Sequence, residues 1–470
     1  MEGYTATIGL EIHAELATQS KMFCACQNAP DEKRPNVHVC PVCMAHPGSL
    51  PVINKDAVYK VLQVGAAIGA QLADYTEFDR KNYFYPDIPK GFQISQYAYP
   101  LVKGGTLRDV AITRIHLEED TARSQHEGGE SLVDYNRSGV PLMELVTEPV
   151  MHDAATAGAF ARELQLLLRY LGAGEANMEK GEMRVEANIS VSKTAQFGTK
   201  VEVKNLNSFR SVERAIAFEL ERQTKLLEEG GSVIQETRGW DEGKQETFSR
   251  RKKESSEDYR YFPEPDLPKL MVSEIQEFSA ENLKKTLPRL PWELRKEYLT
   301  LGLKAEDAEM FVRDRAFGEF FDTARGAADQ ESTLLIANYL ASDVAGKRES
   351  GELPQNWLTR ANAERFAALI SLIRKGTLSS RGAKDTLALM FGSEEAPEAL
   401  AEAHGLIQKN DEAFLKGIVA TVIAAQPTVV ADYKAGKEAA LQFLVGQGMK
   451  ESKGSANPAV IRSLFIEALK

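Results

Sequence analysis

Cysteine is almost absent from this chain. Cys24, Cys26, Cys40 and Cys43 are the only four in 470 residues, so no thiol lies beyond position 43. That excludes a disulfide framework joining distant loops. It also leaves no cysteine outside the group to act as a glutaminase nucleophile. No run is long and apolar enough to cross a bilayer, and the N-terminus lacks a signal-peptide pattern, so a soluble cytoplasmic protein without membrane association is expected. Positive charge is not in surplus: the formal net charge is -11, so any RNA contact has to be local. The phosphate-binding G-x-x-x-x-G-K-[ST] loop, a GxGxxG opening a helix and the kinase signature set are all missing. A Gly- and Ser-rich amidase motif with its catalytic Ser and Lys is missing too. Any use of ATP therefore falls to an uncommon fold, and release of ammonia by this chain itself is not expected.

The hydrophobic fraction, 43%, is enough for ordinary cores, and the length predicts about two to four domains. Up to about residue 262 the pattern is strand-rich. Short alternating runs at Tyr4–His13, Ala111–Leu117, Met183–Ser190 and Thr199–Lys204 are separated by Gly- and Pro-containing loops. Helical spacing is confined there to about 55–69, 154–171 and 211–229, the last ending at Gly230-Gly231. A passage with Pro263, Pro265, Pro268, Pro288 and Pro291 reads as a connection. Beyond it, Trp292–Leu301, Ala305–Ala324, Ser332–Leu340 and Ala361–Arg374 read as successive amphipathic helices. An acidic stretch, Ser393–Glu398, is broken by Pro397. A tail follows with helices over about 411–426, 429–435, 438–446 and 458–469. The expected class is α+β.

The cysteines fall as C-x-C and C-x2-C. Paired short spacings let two thiolates from one turn reach one ion, so the group predicts a structural four-thiolate zinc knot at 24–43, with His38 and His46 as substitutes. Four reduced surface thiols would show the same spacing. On the first strand Glu11 and His13 are two apart and share a face, with Leu10 and Ile12 opposite. Glu118, Glu119 and Asp120 close another run, and Glu144 stands alone among Leu142, Met143, Leu145 and Val146, a costly place for a charge without a partner. Arg184, Glu186 and Asn188 share one face, as do Lys200, Glu202 and Lys204. If these faces converge they form an oxygen-rich Mg²⁺ site; the spacing is equally that of a solvated sheet face. Around Arg80, Lys81, Tyr83 and Tyr85, cations alternate with aromatics, a composition able to hold phosphate and stack a base. It is equally that of an edge strand stopped by Pro86.

Long stretches of the chain resemble the GatB family, one component of the tRNA-dependent Asp/Glu amidotransferase. They are Ile8–Leu16, Cys40–Leu50, Phe78–Gln96, Thr113–Asp120, Tyr135–Pro149, Arg184–Ser190, Thr199–Phe209, Asp258–Pro268 and Gly446–Pro458. The resemblance implies a cradle-like catalytic domain at 1–290 with an antiparallel sheet and the zinc knot, an all-α helical domain at 291–404, and a small helical tail domain at 405–470 that contacts tRNA. It implies two protein partners in one heterotrimer, an amidase subunit that supplies ammonia and a small third subunit. It implies a reaction as well, in which ATP and Mg²⁺ serve to phosphorylate the side-chain carboxylate of Glu-tRNA(Gln) and/or Asp-tRNA(Asn) before amidation. By resemblance His13, Glu119 and Glu144 hold the main Mg²⁺. Glu11 and Glu202 complete a second position with Glu119 shared. Arg80, Lys81, Tyr83, Lys204 and Asn205 contact nucleotide or phosphate, and Asn207 and Ser208 assist from the loop. Many relatives carry Asp at the position of Glu186, whose extra methylene argues against direct ligation. Arg374, Lys375, Arg381, Lys384, Lys450 and Lys453 are the candidates for tRNA phosphate contact.

Overall fold

The computed structural model describes residues 3–252, 259–408, 412–452 and 456–470. It is α+β and divides into two compact units, Met1–Pro291 and Trp292–Lys470.

The first unit is built on a 10-stranded sheet. Five strands carry the argument: β1 (Thr5–Glu15), β2 (Val110–Glu119), β3 (Pro141–Thr147), β4 (Met183–Ser192) and β5 (Val201–Leu206). In space they run β5-β4-β1-β3-β2, and every neighbouring pair among them is antiparallel. β5 pairs on its outer side with Glu236–Asp241, in parallel.

Alternation assigns the two faces of this sheet. On β1, Ile8, Leu10, Ile12 and Ala14 are no more than 1% exposed. Ile115 and Leu117 of β2 and Val185, Ala187 and Ile189 of β4 are buried completely. Helices α1 (Lys55–Ala67), α2 (Ala154–Tyr170) and α3 (Phe209–Glu228) supply further core through residues such as Val61, Phe160, Leu164 and Ile216. Each large aliphatic side chain buried there contributes roughly 1.5–3 kcal/mol. Caps fix the helix starts: Asn54, Asp153 and Ser208 each accept from backbone N–H groups of the first turn. The opposite face of the five strands carries the polar residues.

The second unit is helical. The run expected as one helix over Ala305–Ala324 is two, Ala305–Arg313 and Arg315–Arg325, because Asp314 leaves helical geometry and its carboxylate accepts from the Phe317 N–H. Pro397 starts a helix, Pro397–Ala403, rather than only ending the acidic stretch. At the first helical position its fixed φ is favourable and its missing N–H costs nothing. The chain end packs around Leu415, Val419, Leu444, Ile461 and Phe465. Among the described residues no single helix is long and apolar enough to cross a membrane.

Candidate active site

The polar face of the sheet gathers acids and imidazoles from five strands. Antiparallel register sets Glu144 of β3 between His13 of β1 and His116 of β2. His13 Nε2 lies 3.4 Å from Glu144 Oε2 and 3.6 Å from Glu118 Oε1, and His116 Nε2 lies 3.3 Å from Glu144 Oε2. Arg114, also on this face of β2, comes within 3.8 Å of Glu144. One strand further, Glu11 stands opposite Glu186 of β4, and Asn188 opposite Glu202 of β5. The ligand atoms of His13, Glu11 and Glu144 lie within 4.8 Å of one another, as do those of His116, Glu118 and Glu144, and those of Glu11, Glu186 and Glu202. An ion-paired cluster closes the face: Arg184 reaches Asp120 at 3.1 Å, with Arg137 at 3.5 Å.

Charge at this density perturbs several of these groups. Burial raises the Glu11 carboxyl to about 7, helped by the negative charges of Glu144 and Glu186. Burial works to lower His13, but the hydrogen bond and charge of Glu144 outweigh it and hold the imidazole up at about 9. Burial also opposes ionisation of Glu144, yet His116 and His13 keep its carboxyl well below the usual range. The Nδ1 atom of His116 is buried without a hydrogen-bond partner. Oxygen and nitrogen donors from rigid strands, in excess of the cations that neutralise them, fit a divalent ion.

The expected residues do not all arrive here. Glu11, His13 and Glu144 share the face, and Glu202 joins Glu11. Glu119 does not. It is one residue along from Glu118 and therefore points to the other side of β2. There it accepts from Lys90 Nζ at 2.7 Å and from the Ile94 N–H at 3.0 Å. Glu118 takes the place on the polar face. Glu186, doubted for its length, stands with Glu11 and Glu202. His116 and Glu118 were within reach of the sequence, since both lie an even number of residues from Arg114 on a strand with Ile115 and Leu117 opposite.

The expected nucleotide contacts divide in the same way. In the strand Asp79–Asn82, Lys81 sits under the charges of Glu118 and Glu144 and beside Tyr83 and Tyr259, with its Nζ 5.2 Å from the Tyr259 ring centre. Burial counts against its charge, but those acids hold its pKa well above the ordinary lysine value. Tyr83 packs edge-on against Tyr85 and Tyr259 and donates to Gln93. Arg80 faces the other way and is committed: Nε and Nη2 both bond Glu264, at 2.7 and 2.8 Å, and its guanidinium lies 4.2 Å over Phe92. Lys204 donates to Glu186 at 2.6 Å. Asn205 is exposed, at φ +60°, where the β4–β5 register slips. Ser208 is the α3 cap, and Asn207 is exposed.

The four cysteines form one group, their sulfurs within 4.8 Å of one another. The Cys43 thiol is lowered to about 5, first by its hydrogen bond from Cys24 and then, against burial, by the Cys40 N–H and the Lys21 charge. Cys24 is raised by the same pairing and Cys26 by burial, to about 11. Thiolate-forming sulfur in a closed set of four fits a soft tetrahedral ion. His38 lies instead 3.8 Å from Glu32, and His46 lines a cavity of about 200 Å³ beside the cysteines together with Arg80, Lys90 and Glu119. In the second unit Arg374 pairs with Glu331, Arg381 with Asp385 and Lys384 with Asp343. Lys375 caps the helix Arg360–Arg374, Lys450 lies in Glu438–Glu451, and Lys453 falls outside the described residues.

A carboxylate–imidazole face in a strand-built unit, followed by a helical unit, is here a catalytic domain of the GatB/GatE class, whose family matches residues 6–277. Residues 319–469 match the family described as the GatB domain. Similar proteins, each named as the B subunit of aspartyl/glutamyl-tRNA(Asn/Gln) amidotransferase, occur in Thermus thermophilus (44% identical, 99% of both chains), Carboxydothermus hydrogenoformans (42%, 100% of this chain and 99% of the relative) and Crocosphaera subtropica (42%, 98% and 97%). The chain belongs to the GatB family, the B subunits of this amidotransferase.

Proposed function

We propose that this chain is the carboxylate-activating subunit of a cytoplasmic tRNA-dependent amidotransferase. It uses ATP and Mg²⁺ to phosphorylate the side chain of Glu-tRNA(Gln) and/or Asp-tRNA(Asn), then amidates it with ammonia delivered by the amidase partner, in a complex with a small third subunit. The observation that carries this reading is the set of acids and imidazoles on one sheet face, with Lys81 beside them. Buried carboxylates in this number are costly unless a cation joins them, which counts against a purely RNA-binding scaffold.

A carboxylate is a poor acyl donor because its leaving group would be oxide. One substrate oxygen attacks the γ-phosphorus and ADP leaves; ammonia then attacks the carbonyl carbon, phosphate leaves and a proton is lost. His13, Glu118 and Glu144 would hold one cation, and Glu11, Glu186 and Glu202 a second. Cations there would neutralise charge on the phosphoryl oxygens. Lys81 orients phosphate, and Tyr83 offers its ring to the nucleoside. Arg80 leaves the nucleotide-contact group, because Glu264 occupies its donors. The four cysteines would hold a structural zinc in the knot at 24–43. Residues 1–290 act as the catalytic cradle, 291–404 as the helical domain and 405–470 as the tRNA-contacting tail.

The test is ATP hydrolysis and amide formation by the reconstituted complex on Glu-tRNA(Gln). Glu144→Gln and His13→Ala should each lose at least about 100-fold, as expected when preorganised charge stabilisation is removed. Full activity in both would overturn the assignment.

A further inference from the structure

We propose that Lys204 is an internal cation for the Glu11–Glu186–Glu202 group, occupying it when no divalent ion is present and expelled when one binds. This rests on the cation reading above and extends it to one residue that reading leaves passive.

The geometry is that of an occupied site. Lys204 Nζ lies 2.6 Å from Glu186 Oε2 and 3.7 Å from Glu202 Oε1. The ligand oxygens of Glu11, Glu186 and Glu202 are within 4.8 Å of one another. One ammonium among three carboxylates leaves negative charge unbalanced, and a divalent ion compensates more of it. On Glu186 the two would repel at contact distance, so binding of the ion disfavours the ammonium.

The surroundings allow the exchange. Glu202 is anchored independently, since Thr237 Oγ1 donates to its Oε2 at 2.8 Å, so it stays in place when the ammonium departs. The Lys204 side chain is 29% exposed and has a way out to solvent. It ends the regular part of β5, and the following residue, Asn205, is exposed with φ +60° where the register slips. Asn188 Oδ1, on the β4 residue opposite Glu202, is buried without a donor and offers a neutral oxygen next to the acids. Cation binding thus converts a sequestered lysine into a free ammonium on the reacting face, where it can meet phosphate. The two positions differ in this respect. At Glu144 the close neighbours are the imidazoles of His13 and His116, which can themselves bind an ion, and Arg114 at 3.8 Å; at Glu186 the close neighbour is an ammonium, which can only compete with one.

Mn²⁺ binding to the assembled complex, read by the electron paramagnetic resonance of the free ion without nucleotide, tests this. Wild type should show a tighter and a weaker class. Lys204→Met should tighten the weaker class by about tenfold or more, because the competing charge is gone. Lys204→Arg, which keeps the charge, should leave it weak. The tighter class, unchanged in both variants, reports that they fold. Adding Glu202→Gln to Lys204→Met should abolish the tightened class. An unchanged or weakened second class in Lys204→Met overturns the role of Lys204 while the cation site survives. Failure of Mn²⁺ to bind wild type and variants alike overturns the cation reading and this inference together.

Discussion

Replacing Glu118 and Glu119 separately by glutamine exploits their opposite directions. The two residues are adjacent and both buried, 2% and 4% exposed. Glu118 faces His13 and Glu144; an ion seated among ligand atoms this close would lie within about 3 Å of it. At an effective dielectric of 20 the gross attraction of a dication for one carboxylate is then on the order of 10 kcal/mol. Dehydration and the remaining amide oxygen offset most of that, leaving a loss of about 3 kcal/mol, or roughly two orders of magnitude in cation affinity. Glu118→Gln should fold normally, because it removes one of several crowded like charges. Glu119→Gln should do the reverse. It leaves Lys90 without its ion partner, so the expected cost is about 2–3 kcal/mol of stability with cation affinity kept. Isothermal titration with Mn²⁺ and urea denaturation of both variants give the four numbers needed. Loss of cation affinity in Glu119→Gln with retention in Glu118→Gln would refute the assignment of faces.

In a Cys43→Ser background, which removes the opposing slope of the lowered Cys43 thiol, chelator-treated protein should melt at progressively lower temperature as pH rises from about 6 to 9. His13, held up at about 9, contributes stability that is full below its unfolded value of about 6.5 and lost through 9. Glu11, raised to about 7, adds a loss of the same sign as pH rises through that value. Glu144 is ionised throughout and contributes no slope. Excess Mg²⁺ should flatten the profile; a melting temperature that instead rises with pH contradicts this account. Metal analysis should find about one zinc per chain, lost in Cys40→Ser and retained in Glu144→Gln; wild type without zinc rejects the knot. Arg80→Lys should cost about 2–4 kcal/mol in urea denaturation by losing the two-point bond to Glu264, with the KM for ATP unchanged. A raised KM at full stability would return Arg80 to the nucleotide.

Strand and helix periodicity made much of the architecture readable. The helix Pro458–Leu469 begins at a proline and was visible to its ends. The strand-rich first part and helical remainder follow from where period two gives way to period 3.6. What stayed hidden depends on partners far along the chain. Alternation with Ile115 and Leu117 separates Glu118 from Glu119, but only pairing with β3, which places His116 beside Glu144, shows that the face of Glu118 carries the site. Arg80 and Lys81 look alike in a run of cations and aromatics; Glu264, 184 residues away, decides between them. The break at Asp314 could have been inferred, since an aspartate inside a helical pattern is also a good cap.

Gly139 carries a consequence for how the two candidate metal groups coexist. Its N–H donates to the Asp120 carbonyl at the end of the acidic strand, and its own carbonyl accepts from Met22 beside the cysteine loop. Its φ of +84° suits glycine, and the space a Cβ would enter is bordered by Cys43 and Lys21. A single residue therefore rivets the cysteine loop to the strand that presents Glu118. Loosening of the cysteine loop would therefore pull on the strand that presents Glu118, with no ligand shared between the two groups.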